Sequence, residues 1–461
     1  MTVFPPRMGE PLFTSKQIKA LLIPLIIEQV LSATIGIIDT IMVAQVGEHA
    51  MSGVSLVDSI NMLLINVFAA LATGGTIVTS QYLGGQRIKN ARFSAQQAYL
   101  ICVALAAAIM GLCLGFRRGI LSAIYGSIDK DVMDSAVSYF LFTAISYPFI
   151  AQFVTCSALF RVMGNARLPM RVSIVMNLIN VVGNAIFIFV FNMGAAGAAL
   201  STLISRIFGG MLLTFRLLDP DLQVNLAGIW PIKLDIKMIK NILSIGIPNG
   251  IENGIFQIGK VLVQSIVSSF GTIGIAAAAV AHSLSSIAIM PGMAIGIGLV
   301  AVAGQCVGAG KYDQARRYAV GFTGLSMASI TFINIFIFLF MRPIISAYGV
   351  PDDTALLARS LILCTLLGTS VIWPLGFTLP NALRAAGDAK YTMFVAVFSM
   401  WAFRVGLGYV LSTVCKLGVI GIWYAMVADW VFRTLFYVGR FLTDRWTNRS
   451  ILLAPADVKR K

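Results

Sequence analysis

The sequence predicts an all-α polytopic membrane protein with twelve transmembrane helices in two pseudo-symmetric six-helix lobes. Three observations carry that prediction. The 461 residues are 58% hydrophobic and only 11% charged, a balance outside the range of soluble globular chains. Twelve apolar stretches each run to roughly 20 residues or more, enough to cross about 30 Å of hydrocarbon. The chain also aligns with itself at a fixed offset: Pro24 falls on Pro248, Glu28 on Glu252, Gly47 on Gly271, Ser59 on Ser283, Gly74 on Gly298, Gln81 on Gln305, Gly84 on Gly308 and Arg92 on Arg316. One residue shorter in offset, Arg161-Val-Met-Gly164-Asn-Ala-Arg167 answers Arg384-Ala-Ala-Gly387-Asp-Ala-Lys390. Like-oriented halves of this kind place a substrate path at the junction between repeats.

In chain order, the first six spans cover residues 19–44, 58–83, 93–116, 134–159, 168–191 and 195–215. The second six cover 242–270, 284–307, 318–341, 358–379, 391–414 and 418–439. Residues 1–215 therefore form an N-terminal lobe, 241–440 a C-terminal lobe, and 441–461 a basic tail. The connection 216–240, with Pro220, Pro231 and most of the loop charge, reads as a cytoplasmic linker. Connections such as 47–51 and 192–194 are tight and nearly uncharged, so the spans they join are antiparallel neighbours. Six spans per half make the repeats parallel, related by an axis along the membrane normal. Gly and Ala inside spans, as at 276–281 and 292–298, permit close helix approach.

A net charge of +15 invites a nucleic-acid reading, and the placement of the charge excludes it. With the N-terminus inside, inner segments carry 24 Lys and Arg and outer segments carry 6. That asymmetry places both termini in the cytoplasm by the positive-inside rule. The first apolar stretch is too long for a cleavable signal and lacks a small-residue cleavage site. Six scattered cysteines and two distant histidines give no metal-site spacing. The reading is a multi-pass plasma-membrane monomer with lipid around it, no nucleic-acid partner and no bound cofactor.

An ionisable side chain in hydrocarbon costs on the order of 3 kcal/mol on insertion scales, so each one calls for an explanation. Asp39 lies five or six residues below the outer end of the first span. Asn184 and Thr202 lie about seven residues deep in the fifth and sixth spans, and Asn180 one turn below Asn184. At about 1.5 Å per residue these four share a layer roughly 10 Å beneath the outer surface. Their hard oxygens suit a small cation, or a carboxylate that gains and loses a proton. The plainer alternative is a polar cluster tying three helices together. Against it, the repeat-equivalent positions Val263, Phe403, Leu407 and Met426 are all apolar. In the second half, Lys260, Arg404 and Asp429 fall near mid-membrane, with Asp429 expected to neutralise one or both cations. Glu28 and Glu252 follow the matched prolines by a turn; Glu252, if facing a central cavity, attracts cationic ligands. Arg206 and Arg433 are expected to snorkel to the inner surface, and His282 to pack or hydrogen-bond.

These residues resemble the multidrug and toxic compound extrusion (MATE) family over essentially the whole chain. The resemblance rests on Ala278-Ala-Val-Ala-His282-Ser, on Met290-Pro-Gly292-Met-Ala-Ile-Gly296-Ile-Gly298 and on Gly304-Gln305-Cys-Val-Gly308-Ala-Gly310. Ser80-Gln81-Tyr-Leu-Gly84-Gly and Leu383-Arg384-Ala-Ala-Gly387-Asp388 add to it. It implies two six-helix lobes forming a V, and export of amphipathic organic cations in exchange for Na⁺ or H⁺. It also implies that Asp39 is the coupling carboxylate, with Asn180, Asn184 and Thr202 as ligands if the ion is Na⁺. The family's commonest fifth-span pattern is Asn, three residues, then Asp; here Asn184 stands in place of that acid, leaving Asp39 as the layer's only expected formal charge. The acid some members carry on the tenth span is missing at Val371-Ile-Trp373-Pro374, while Glu252 matches their acid on the seventh.

The resulting expectation is alternating access, with a cation arriving at Asp39 biasing the balance between lobe arrangements by a few kcal/mol. A flippase for lipid-linked precursors, distantly similar to this family, would line its path with more cations than Lys260 and Arg404. An intramembrane lipid-phosphate enzyme would need clustered acids near one interface. The acids Asp129, Asp131, Asp134, Asp219, Asp221, Asp352 and Asp353 sit instead with turn and helix-end punctuation.

Overall fold

The computed structural model describes residues 10–126, 129–229 and 233–450, and among these every regular element is helical. Arg7, Pro231, Lys459, Arg460 and Lys461, counted above, lie outside the described residues, as does most of the tail. The first half comprises α1 Ser15–Ala44, α2 Glu48–Gly84, α3 Ile88–Tyr125, α4 Lys130–Ile145, α5 Tyr147–Val162, α6 Arg167–Val190 and α7 Gly194–Leu217. The second comprises α8 Ile236–Ser268, α9 Gly271–Gly308, α10 Tyr312–Leu339, α11 Met341–Ala347, α12 Asp352–Ile372, α13 Pro380–Ala385, α14 Ala389–Val414 and α15 Val419–Leu442.

Ten of these helices are individually long and apolar enough to span a bilayer, and α4 with α5 makes an eleventh with a 46° bend. The bend falls at Ser146, where Pro148 lacks the N–H that would continue the helix. The expected twelfth, α8, is long enough at 33 residues. It carries Lys237, Lys240, Glu252 and Lys260 with Asn241, Asn249 and Asn253, so composition alone gives eleven spans where length gives twelve.

The chain divides into one unit of Lys16–Gly250 and another that begins at Ile251 and takes in the segment before Lys16. The first unit thus includes the linker and the start of α8. Leu12 and Phe13 donate their N–H groups to Gln314 and Tyr318 on α10, which fixes the N-terminal segment to the second unit.

The repeat is written into the turns. Residues with positive φ pair across the halves at the same offset or one residue less: Gly47 with Gly271, Gln86 with Gly310, Asn192 with Lys416 and Gly194 with Gly418 at the first, Gly126 with Gly349 and Gly164 with Gly387 at the second. Side chains rarely adopt this left-handed geometry, so Gln86 and Lys416 hold it because the turn imposes it. Matched arginines do matched work. Arg92 donates to the carbonyls of Gln223 and Leu222, fixing the linker to α3. Arg316 reaches Asp444 at 2.6 Å, fixing the segment that follows α15 to α10.

Lipid tails give apolar helices no hydrophobic reason to associate, so close packing through small residues takes over. Gly74 is an instance: a Cβ there would meet the Ile242 carbonyl oxygen at 2.5 Å and the Gly246 nitrogen at 2.9 Å. Facing outward are large apolar side chains such as Phe332 and Leu367, 75% and 80% exposed, as a lipid-facing surface requires. The four cysteines Cys102, Cys113, Cys156 and Cys306 are buried and unpaired with one another, packing as small apolar groups.

Candidate functional site

Asp39 of α1 meets α6 and α7 through its carboxylate. Asn184 donates its amide nitrogen to Asp39 Oδ1 at 2.7 Å. Asn180, one turn earlier, fits two amide orientations on the same atoms, and hydrogen bonding assigns them. With nitrogen toward Asp39 it donates to both carboxylate oxygens, at 2.7 and 3.0 Å, and accepts from Thr202 at 3.1 Å. The reverse orientation would set the Asn180 oxygen against the Asp39 carboxylate, two acceptors face to face, so the hydrogen bonds support the nitrogen-inward arrangement. Ser201 pins the layer by donating to the Asn180 carbonyl at 2.6 Å. Immediately after Asn184, α6 widens into a π turn over Ala185–Val190, a distortion common near functional groups.

The four residues read as one layer from the sequence are therefore brought together, and a fifth joins them. Asp58 lines the same cavity as Asp39, Asn184, Thr202 and Tyr139. Tyr139 of α4 donates to Asp58 Oδ1 at 3.0 Å and Asn61 donates to the same oxygen at 3.1 Å. Asn61 in turn accepts from Tyr147 at 2.7 Å. Counting the second span from residue 58 made Asp58 a boundary residue. Since α2 begins at Glu48, Asp58 lies ten residues inside the helix, and Asp39 is not the only acid of its layer. Arg206 of α7 is half-buried and donates to Ser146 at the α4–α5 bend at 2.8 Å, within electrostatic range of both acids. The cavity measures about 150 Å³. At ~30 Å³ per water that is room for a few waters or a small cation, well under the ~300–1,000 Å³ of a drug site.

The second unit holds a cluster of opposite sign. Asp429, 0% exposed, accepts from Arg433 at 2.9 Å and from Ser399 on Oδ1, while Arg404 Nε stands 3.2 Å from Oδ2 as an ion pair without hydrogen-bond geometry. Arg433 is thus buried and paired, not snorkelling, because Asp429 one turn before it offers a partner. The expected bridge from Asp429 to Lys260 does not form. Lys260 is exposed, its ammonium 5.2 Å from the centre of the Phe256 ring. Arg404 and Arg433 lie over that same ring at 5.2 and 5.4 Å. Glu252 stands apart from this cluster, 2.5 Å from Arg384, while Glu28 pairs with Arg161 at 2.8 Å. These two pairs are repeat equivalents, and both arginines had been read as loop charges. His282, the repeat equivalent of Asp58, is exposed. Among the described residues, no group of three or more His, Cys, Asp or Glu forms a metal cluster.

Comparison with known proteins follows the same division of the chain. The MatE family model matches residues 24–186 and again 248–410, two segments with the repeat's own offset. The "Probable multidrug resistance protein NorM" of Thermotoga maritima is 26% identical over 445 residues, 95% of this chain and 94% of that one. The "Uncharacterized transporter YisQ" of Bacillus subtilis is 27% identical over 92% of each chain. A solved structure described as the outward-facing conformation of a multidrug resistance MATE family transporter superposes with a TM-score of 0.87. It is 19% identical and aligned over 94% of this chain and 96% of its own, a likeness of fold.

Proposed function

Since this chain belongs to the MatE family of membrane transporters, we propose that it is a cation-coupled antiporter. It exports amphipathic organic compounds, mostly cationic, by alternating access, and takes up H⁺ or Na⁺ at Asp39. The observation that carries this reading is the Asp39 layer itself. A carboxylate held by two amides, one of them fixed in turn by the Thr202 hydroxyl, lines a cavity with room for a small cation and a few waters. Asn180 and Asn184, both on α6, donate to the Asp39 carboxylate of α1, and Asn180 accepts from Thr202 of α7. A proton or cation taken up at Asp39 competes with those donors and so alters contacts among α1, α6 and α7. That is the differential interaction a conformational shift requires. Glu252 keeps Oε2 buried and without a partner, an acceptor suited to a cationic group. The excess of basic residues on the inner segments supports an orientation with both termini cytoplasmic.

The test is dye efflux from vesicles containing the purified protein, with a pH gradient and a Na⁺ gradient imposed separately. Asp39→Asn is expected to abolish efflux under whichever gradient drives the wild type, with an unchanged elution profile. Full gradient-driven efflux by that variant would refute the assignment.

A further inference from the structure

We infer that Asp58 is a second coupling carboxylate, supplied by α2, and that a single monovalent cation is shared between Asp39 and Asp58. The inference rests on the antiport reading above and assigns a residue that the family-like pattern of the sequence did not mark.

Four observations converge on it. Asp39 and Asp58 line one cavity. Both donors to Asp58, from Asn61 and Tyr139, converge on Oδ1, so Oδ2 carries no hydrogen bond in this arrangement. Asn184, 1% exposed and lining the same cavity, donates its nitrogen to Asp39 and leaves Oδ1 buried without a partner. That orphan is a buried neutral acceptor on a residue that lines the cavity with both carboxylates, and an acceptor left unpaired in this arrangement is costly. Finally, the charges do not balance. Neither carboxylate forms an ion pair among the described residues. Arg206 is the one cation within electrostatic range of Asp39, and it hydrogen-bonds Ser146. Asp58 is exposed and Asp39 half-buried, so both carboxylates meet the cavity's water, and two acids near one arginine leave an excess negative charge that attracts one monovalent cation. The other groups facing the acids, Tyr139 from α4 and Tyr147 from α5, are neutral donors. Asn184 supplies no charge to this cavity, and its second acid comes from Asp58 on α2.

The shared chemistry is a monovalent cation, and its source is separated by the two gradients. In vesicles, Asp58→Asn preserves an acceptor for Tyr139, so a purely structural role predicts unchanged coupling. The inference predicts a loss of about tenfold or more in gradient-driven efflux. It predicts a matching loss of ²²Na⁺ uptake if Na⁺ drives transport, or of drug-dependent proton uptake if H⁺ does. The decisive variant returns the acid to α6: Asn184→Asp on the Asp58→Asn background should restore coupling. Unimpaired coupling in Asp58→Asn overturns the inference. So does a loss that Asn184→Asp fails to repair and that Tyr139→Phe reproduces, since Asp58 would then only hold α2 to α4. Coupling lost in Asp39→Asn but kept in Asp58→Asn sinks this inference alone. Coupling kept in Asp39→Asn sinks the antiport assignment on which it rests.

Discussion

Asp429→Asn is the substitution whose cost the structure defines most sharply. Asp429 is wholly buried, and its two oxygens are divided between Arg433 and Arg404, themselves 2% and 7% exposed. Replacing the carboxylate with an amide keeps the shape, removes the anion and turns an N–H₂ toward a guanidinium. Two buried cations then share a site with no counter-charge. Removing one partner of a buried pair costs about 3–5 kcal/mol, because the remaining charge stays desolvated. At ~2–4 °C per kcal/mol for a 150–250-residue domain, the melting temperature should fall on the order of 10 °C. Lys260→Met is the internal control. That exposed ammonium forms no ion pair among the described residues and lies over the Phe256 ring that it shares with Arg404, and an exposed cation–π contact contributes ~0.5–1 kcal/mol.

The assay is melting in detergent, read as the fraction of monodisperse protein surviving a heat step. A second variant separates charge from shape: Arg404→Leu added to Asp429→Asn leaves one excess cation in place of two and should recover part of the loss. If Asp429→Asn melts within about 2 °C of wild type, well under the shift expected for a buried pair, the cluster is solvated and the reasoning fails. It fails equally if the double variant is less stable than the single.

Two further outcomes follow from the same geometry. Glu28→Gln and Glu252→Gln should lower the melting temperature by similar amounts, about 3 kcal/mol each, because each strands the repeat-equivalent arginine of its own half. A Glu28→Arg, Arg161→Glu exchange should recover much of the first loss, measured by the same heat step. Gly74→Ala should destabilise by about 1–3 kcal/mol, since the new methyl meets backbone atoms of α8 that no rotamer change can move. Gly111→Ala, with nothing within 4 Å of its Cβ, should instead be neutral or mildly stabilising through helix propensity.

What the sequence revealed, and what it hid, follows from what hydropathy can measure. Spans and repeat were legible because burial in lipid needs long apolar runs, and because the turns between them need residues that tolerate positive φ. The layer of Asp39, Asn180, Asn184 and Thr202 was legible from depth alone, since four residues at one height on adjacent helices have few ways to avoid meeting. Asp58 was hidden by the same method: a charged residue ending an apolar run reads as the edge of a span, although α2 continues past it to Glu48. Arg433 was hidden because hydropathy cannot distinguish a route to water from a buried partner one turn away. Arg161 and Arg384 were hidden by the motif that contains them, whose glycine marks a turn and so suggests that neighbouring charges are solvated. In each case the missing information was the identity of a neighbour on another helix or another turn.

Charges copied between the halves behave differently from charges that are not. Glu28 with Arg161 recurs as Glu252 with Arg384, and Arg92 recurs as Arg316; all of them hold elements together. The charged clusters are uncopied. Asp39, Asp58 and Arg206 correspond to Val263, His282 and Trp430, while Lys260, Arg404, Asp429 and Arg433 correspond to Gly36, Val181, Ser205 and Gly209. Packing bears on part of this asymmetry: a Cβ on Gly209 would overlap the Met176 side chain, so a twin of Arg433 would require that methionine to move. Gly36 is different. It lines the cavity shared by Asp39 and Asp58, and a Cβ there meets nothing within 4 Å. Gly36→Lys therefore delivers a tethered ammonium to a site that lacks one positive charge. If the coupling cation is what that site takes up, the lysine should replace it permanently. Efflux should then be lost under both gradients, while the melting temperature holds or rises because the excess negative charge is neutralised. A Gly36→Met variant of similar length and no charge should retain coupling. Efflux surviving in Gly36→Lys, or lost equally in Gly36→Met, would mean that the cavity's charge is not what the transported ion answers.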